Sequence, residues 1–428
     1  MLPKGKSRVA RRRVFYIPGY DPYPPRRYRE LYRTESQKQA EISGYRVDQK
    51  AEPGETAWRV RAQIEDAQTI SKIDVLVWHD LVQASMRAGI AGTYFAMLRT
   101  VWTYVSTGTF RRLSWLSKGP VIAALYPVFM LTGQLILALA GAGIVGALAW
   151  RMTHIGGAWL LNLIGREPIT DGVVWAVVAA SVFWVLFLPL FVSSLRWFKS
   201  KDDKTFAYYL MQDYAYTASK HGAYPDEIEA RLHEFRHRIE AALREDIDEV
   251  LIVGHSSGAQ MAVSIVADIV RLERVDNTGP ALSLLTLGQV IPMVSFLPDA
   301  KRLRRDLRLL STCQEITWLD VSAPSDGCSF ALVDPVSVSG VSPGKEQQWP
   351  LIISAAFSQT LSVETLAKLK WRFFRLHFQY LCAFENPGDY DYFAITAGPT
   401  TLGARFRGRR PSANRIDVVA SRFNSTFT

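Results

Sequence analysis

The sequence predicts an α/β protein: a mostly parallel sheet with helices on both faces, carrying an inserted two-helix transmembrane hairpin. Three observations predict it. Apolar runs of strand length recur at 14–17, 250–253, 284–287 and 316–321. Segments long enough for helices separate the later ones, and this alternation favours a parallel sheet. Two stretches lack any charged residue or histidine, 32 residues at 119–150 and 24 at 172–195, against the roughly 20 that a bilayer crossing needs. The last observation excludes an ordinary soluble protein. Two spans cannot enclose a substrate path by themselves, which also excludes a transporter of the usual many-span kind.

Residues 14–17 (Val-Phe-Tyr-Ile) run into Pro18-Gly19 and read as a buried strand entering a tight turn. A basic, proline-rich and polar stretch follows to about residue 55. From 58 to 64, Trp58, Val60, Ala62 and Ile64 alternate with Arg59, Arg61 and Gln63, the period of a half-buried strand. A further strand is expected at 73–78. Between 93 and 118, six aromatic side chains from Tyr94 to Trp115 stand among Arg99, Arg111, Arg112 and Lys118 with no acid, which reads as an interfacial segment leading into the first span. Beyond the second span, Ile228, Leu232, Phe235, Ile239 and Leu243 mark one apolar stripe on a charged helix. The expected division is 1–92, first part of the sheet domain; 93–204, interfacial segment and hairpin with spans at about 121–148 and 173–195; 205–400, its second part; and 401–428, an extended basic tail.

Cys313, Cys328 and Cys382 make an odd count without metal-ligand spacing, so neither a disulfide framework nor a zinc ribbon is expected. Of the net charge of +10, much lies in residues 1–34, which hold ten Lys or Arg against Asp21 and Glu30. Next to membrane spans, that cluster suits an anionic phospholipid surface and not nucleic acid. The apolar run after Arg13 is too short for a signal peptide. Four basic residues flank the hairpin on each side (Arg99, Arg111, Arg112, Lys118; Arg196, Lys199, Lys201, Lys204), while the connection holds Arg151 and Arg166. Positive residues resist translocation. Both flanks are therefore expected in the cytoplasm, with the chain in a cell (inner) membrane of bacterial type.

Chemistry centres on Gly254-His255-Ser256-Ser257-Gly258, a G-x-S-x-G between the strand at 250–253 and a helix expected at 259–272. A serine at such a strand-to-helix turn is lifted clear of the sheet, and the flanking glycines avoid clashes. The helix start adds a dipole favourable to a developing oxyanion.

With this elbow the chain resembles the α/β-hydrolase superfamily, in particular its lipase-like and esterase-like members, over about residues 13–80 and 205–395. The resemblance implies a Ser-His-Asp triad in chain order. Ser256 is then the nucleophile and His377, the one histidine that follows the motif, the general base. It places the acid in the loop after the strand 316–321, selecting Asp326, with Asp320 and Asp334 as alternatives. It also implies an oxyanion hole from Tyr20 and Ser257 backbone N–H, with Gly19 allowing close approach; this chain has Gly-Tyr where many members have His-Gly. The implied activity is cleavage of ester or thioester bonds through an acyl-enzyme, with membrane lipids or acyl esters as substrates, no cofactor and no metal. The competing reading is a catalytically inactive membrane scaffold or assembly factor of the same shape. His233 and His237 match H-E-x-x-H, but helix phase turns them toward the charged face, so a solvated surface is expected there. His79, in Trp78-His79-Asp80, is expected to shape the site at most. Oligomeric state is not legible.

Overall fold

The computed structural model describes residues 7–54, 56–163, 165, 173–273, 275, 278–370 and 372–427. Its eight strands, β1 (Arg11–Ile17), β2 (Arg46–Ala51), β3 (Ala57–Ile64), β4 (Ala67–Val75), β5 (Glu249–His255), β6 (Ala281–Leu287), β7 (Ile316–Ser322) and β8 (Leu351–Ser354), form one sheet in the order β2-β3-β4-β1-β5-β6-β7-β8. Only β3 runs against the rest, since it pairs antiparallel with both β2 and β4 while every other pairing is parallel. The central strand β1 lies between β4 and β5, with Val14 opposite Ile73 on one side and Leu251 on the other.

Burial explains which strands the sequence announces. Every residue of β5 and β7 is buried, as befits strands covered on both faces. In β3, Trp58, Val60, Ala62 and Ile64 are buried while Arg59, Arg61 and Gln63 are exposed. The edge strands β2 and β8 go unannounced: β2 alternates charges, which protect a sheet edge, and β8 has four residues. β4 ends at Val75, short of the expected Trp78, because the chain turns into the helix His79–Ser85.

The basic stretch after β1 also holds a helix, Arg26–Ser43, whose buried face is Tyr28, Tyr32, Glu35, Ser36 and Gln39. That face is helical in spacing yet mostly polar. Gln39 is satisfied by both the carbonyl and the N–H of Phe384, and Glu35 accepts from Ala383 N–H. A buried ion pair, Arg12 Nε to Glu249 Oε2 at 2.6 Å, locks β1 to β5. Its remaining donors reach the carbonyls of Gly398 and Thr400, so no polar atom of the guanidinium is stranded.

The chain divides into two compact units, and the division differs from the expected boundaries. The first comprises the chain up to Met86, Thr100–Ala123 and everything from Ala215; it contains the whole sheet. The second comprises Arg87–Arg99 and Ala124–Tyr214. The stretch expected to be interfacial forms the helices Ile90–Ser106 and Thr109–Leu116, joined at Gly108 with φ +71°. On the first of these, Phe95, Leu98, Trp102 and Val105 share an exposed face.

Among the described residues, two helices are long and apolar enough to cross a membrane. They run over Lys118–Leu163 and Val173–Ser200, longer than the expected spans, and Arg151 lies inside the first of them. Arg166, counted with the connection, lies outside the described residues. Glycines bring the pair together: an added Cβ would meet the Phe183 ring at 2.8 Å from Gly146 and the Trp175 ring at 2.7 Å from Gly157. Small residues serve this purpose where lipid removes the hydrophobic drive for helix association.

The carboxyl-terminal segment, expected to be an extended basic tail, is held against the rest of the chain by backbone hydrogen bonds. A short helix, Leu402–Arg405, opens it. Ser412 N–H then bonds Ile352 O, Ile416 exchanges backbone bonds with Leu332 and Asp334, and Ala420 and Ser421 both donate to Val338 O.

Candidate active site

At the end of β5 the chain passes from strand to the helix Gly258–Arg271 within three residues. Ser256 makes that turn at φ +56°, a left-handed conformation that side chains seldom adopt. The flanking glycines are obligatory: a Cβ at Gly258 would sit 2.3 Å from Ile17 O, and one at Gly254 2.7 Å from Ala259 Cα. Ser256 N–H is held by Leu287 O at 2.9 Å, and the side chain is half-buried.

The loop after β1 closes over this turn. A Cβ on Gly19 would come within 3.0 Å of Ser256 Cβ and 3.4 Å of its Oγ, so glycine lets the loop approach without crowding the serine. Trp78 Nε1 fixes the loop by donating to Pro18 O at 2.9 Å. Tyr20 N–H donates to Ser257 Oγ at 2.8 Å. It is aimed at the elbow as the sequence suggests, but it already has an acceptor. Ser257 N–H stands ahead of the first turn of the following helix, which supplies it no acceptor.

His377 ends the short helix Phe373–His377, and Asp326 lies in the loop beyond β7. Though 51 residues apart, they meet: His377 Nδ1 is 2.8 Å from Asp326 Oδ2, with both side chains buried. The carboxylate is well provided with donors. Oδ2 also accepts from the Tyr380 hydroxyl at 2.9 Å, and Oδ1 from Cys328 N–H at 3.0 Å. Burial alone would raise the Asp326 carboxyl, but the neighbouring His377 and these hydrogen bonds outweigh it and hold the group below the usual carboxylate range. Burial, then the Asp326 charge, pushes the Tyr380 hydroxyl well up, so it remains a donor at any working pH.

Two further residues set the position of the imidazole. His255, beside Ser256, directs Nε2 to the His377 carbonyl at 3.0 Å. A carbonyl only accepts, so Nε2 of His255 carries a proton. Burial, then the proximity of His377, pushes its pKa down to about 3. Gly288, at φ +51°, supplies the floor: a Cβ there would meet Tyr380 Cε2 at 2.6 Å and His377 Cε1 at 3.1 Å. It follows Leu287, whose carbonyl holds Ser256 N–H. Among the described residues no hydrogen bond joins Ser256 Oγ to His377; such bonds commonly tighten only in the substrate complex.

The other candidates have different duties. Asp320 sits inside β7, fully buried, accepting from Thr286 Oγ1 at 2.5 Å. Asp334 caps the helix Pro335–Val338 through Val336 and Ser337 N–H. Asp80, next to His79, forms a two-pronged ion pair with Arg231. His233 and His237 lie exposed on the helix Asp226–Ala242, on the side away from Ile228, Leu232, Phe235 and Ile239, as helix phase requires. Sequence reasoning misses His255, Gly288, Cys328 and Tyr380 as site residues; of these only His255 carries a signal, its place inside the G-x-S-x-G. Among the described residues, Asp326, Cys328 and His377 form the one cluster of three groups able to hold a metal ion. No protein-family model, curated protein or solved structure matches the chain.

Proposed function

We propose that the chain is a membrane-anchored serine hydrolase of α/β-hydrolase type that cleaves ester or thioester bonds of lipid or acyl substrates. The observation that carries this reading is a serine held at φ +56° on a strand-to-helix turn, in the same unit as a buried histidine-carboxylate pair. A surface turn gains nothing from that backbone strain, whereas a nucleophile gains exposure from it.

In this reading Ser256 Oγ attacks the acyl carbon while His377 Nε2 takes its proton. Asp326 keeps the other ring proton on Nδ1 and stabilises the imidazolium. The carbonyl oxygen, becoming negative, is met by Ser257 N–H and the start of the following helix. Tyr20 N–H joins when Ser257 Oγ turns away. His377 then returns the proton to the leaving group, and water or a second acceptor releases the acyl-enzyme. None of these steps calls for a cofactor. The exposed Phe95, Leu98, Trp102 and Val105, with the basic residues around them, suit an anionic phospholipid surface. The long apolar helices would anchor the unit on the cytoplasmic side.

A fluorophosphonate probe tests the reading directly. Labelling of the purified full chain should vanish in Ser256→Ala and survive exhaustive chelation. An unreactive wild type would favour a scaffold instead.

A further inference from the structure

We propose that Asp326, Cys328 and His377 also form a binding site for a thiophilic divalent cation, zinc by its chemistry, whose occupation switches the active site off. This rests on the hydrolase reading for its effect, though not for the binding itself. One ligand atom from each of the three residues lies within 4.8 Å of the other two. The convergence is built into the loop. Asp326 Oδ1 accepts from Cys328 N–H at 3.0 Å, which folds the chain back and brings the thiol to the same side as the carboxylate.

Zinc bonds of about 2.0 to 2.3 Å to nitrogen, oxygen and sulfur place tetrahedral ligand atoms roughly 3.3 to 3.7 Å apart. A spread of 4.8 Å closes to that by small side-chain adjustment. The donor set also selects. A thiolate with an imidazole and a single carboxylate suits zinc, whereas magnesium and calcium demand oxygen ligands throughout. A fourth position stays open to water.

Occupation is incompatible with catalysis whichever ring nitrogen binds. At Nε2 the ion takes the lone pair that must accept the serine proton. At Nδ1 it displaces the ring proton to Nε2, with the same outcome. The thiol proton leaves to solvent, so charge and protons balance without any oxidant. The rival zinc site is the exposed pair on the helix Asp226–Ala242, where His233 Nε2 and His237 Nε2 stand 3.2 Å apart. Among the described residues no third ligand joins them in a cluster.

The experiment uses the purified full chain, with ester turnover and the rate of fluorophosphonate labelling measured against buffered zinc. Zinc should inhibit both reversibly on chelation, while millimolar magnesium should not. Cys328→Ser should raise the half-inhibiting zinc concentration at least about tenfold, measured against the variant's own zinc-free rate. A His233→Ala, His237→Ala double variant should remain as sensitive as wild type. Binding is read separately with cobalt, whose thiolate charge-transfer band should appear in Ser256→Ala and be absent in Cys328→Ser. Undiminished inhibition in Cys328→Ser, or loss of inhibition in the double histidine variant, would overturn the proposal. A Cys328-dependent cobalt band in a chain without turnover or labelling would reject the hydrolase reading and uphold the metal site.

Discussion

Replacing Asp320 by asparagine should stabilise the protein in a pH-dependent way and leave catalysis intact. Asp320 is fully buried in β7, its Oδ2 has no partner, and Oδ1 accepts from Thr286, which in turn accepts from Trp318 Nε1 at 3.0 Å. Burial is the main cause that raises its pKa to about 7, with Asp334 adding to it and the Thr286 hydrogen bond opposing. In the unfolded chain the group titrates near 3.9. Below about pH 4 both states are protonated and the residue is neutral toward stability. Between about pH 4 and 7 only the unfolded state ionises, so folding loses about 1.4 kcal/mol per pH unit. Above about pH 7 the loss levels off on the order of 4 kcal/mol. Asp320→Asn keeps the acceptor for Thr286 and removes the titration. The stability difference between variant and wild type should therefore grow by a few kcal/mol from pH 4 to pH 8, whatever fixed offset the amide introduces. Urea unfolding in detergent, followed by tryptophan emission at both pH values, measures it. A flat difference would refute the reasoning. Loss of turnover in Asp320→Asn, with Asp326→Asn active, would move the acid to Asp320.

Tyr380→Phe removes one of the two donors on Asp326 Oδ2 and so loosens the carboxylate that orients the imidazole; kcat should fall by roughly fivefold to tenfold with KM unchanged. An unchanged kcat in a folded variant would assign Tyr380 a packing role alone. Ser256→Gly should be more stable than Ser256→Ala by about 1 kcal/mol, because glycine accepts φ +56° without strain, and both should be inactive; equal melting midpoints would deny the strain. Single cysteines placed at Asn162 and Ser200 in a cysteine-free background should differ in accessibility to an impermeant thiol reagent in intact cells, with Asn162 labelled from outside. Labelling of Ser200 instead would reverse the topology.

What is legible in this sequence follows burial. β1, β3 and β5 to β7 announce themselves because their inward faces are apolar, by run or by alternation. The helix Arg26–Ser43 does not, since its buried face includes Glu35 and Gln39, whose partners Ala383 and Phe384 lie some 345 residues away. The same division holds at the site. Ser256 is marked locally, because strand, glycines and helix must adjoin it. Asp326 and His377 are selected by the chain order of the resembling family, and they meet in space. Tyr380, Gly288 and Cys328 matter only through tertiary proximity, which no local pattern encodes. The carboxyl-terminal segment reads as extended because it is basic and polar, and no local pattern shows that its backbone is pinned to β8, to the loop around Leu332 and to the end of the helix Pro335–Val338.

The central position of β1 has a bearing on biosynthesis. One of its neighbours, β4, is made soon after it, but the other, β5, emerges only after both long apolar helices have been synthesised. The half-sheet must therefore wait with an open edge while the hairpin is committed to its surroundings, a slow closure of high sequence separation. The Arg12–Glu249 pair joins the same two strands and can form only then. A chain whose halves end on opposite faces of a bilayer leaves Arg12 without its carboxylate, β1 without its partner and Gly19 without Ser256. In the membrane-anchored reading proposed above, correct insertion and closure of the sheet would thus become one event, and the sheet would serve as the chain's own check on its topology.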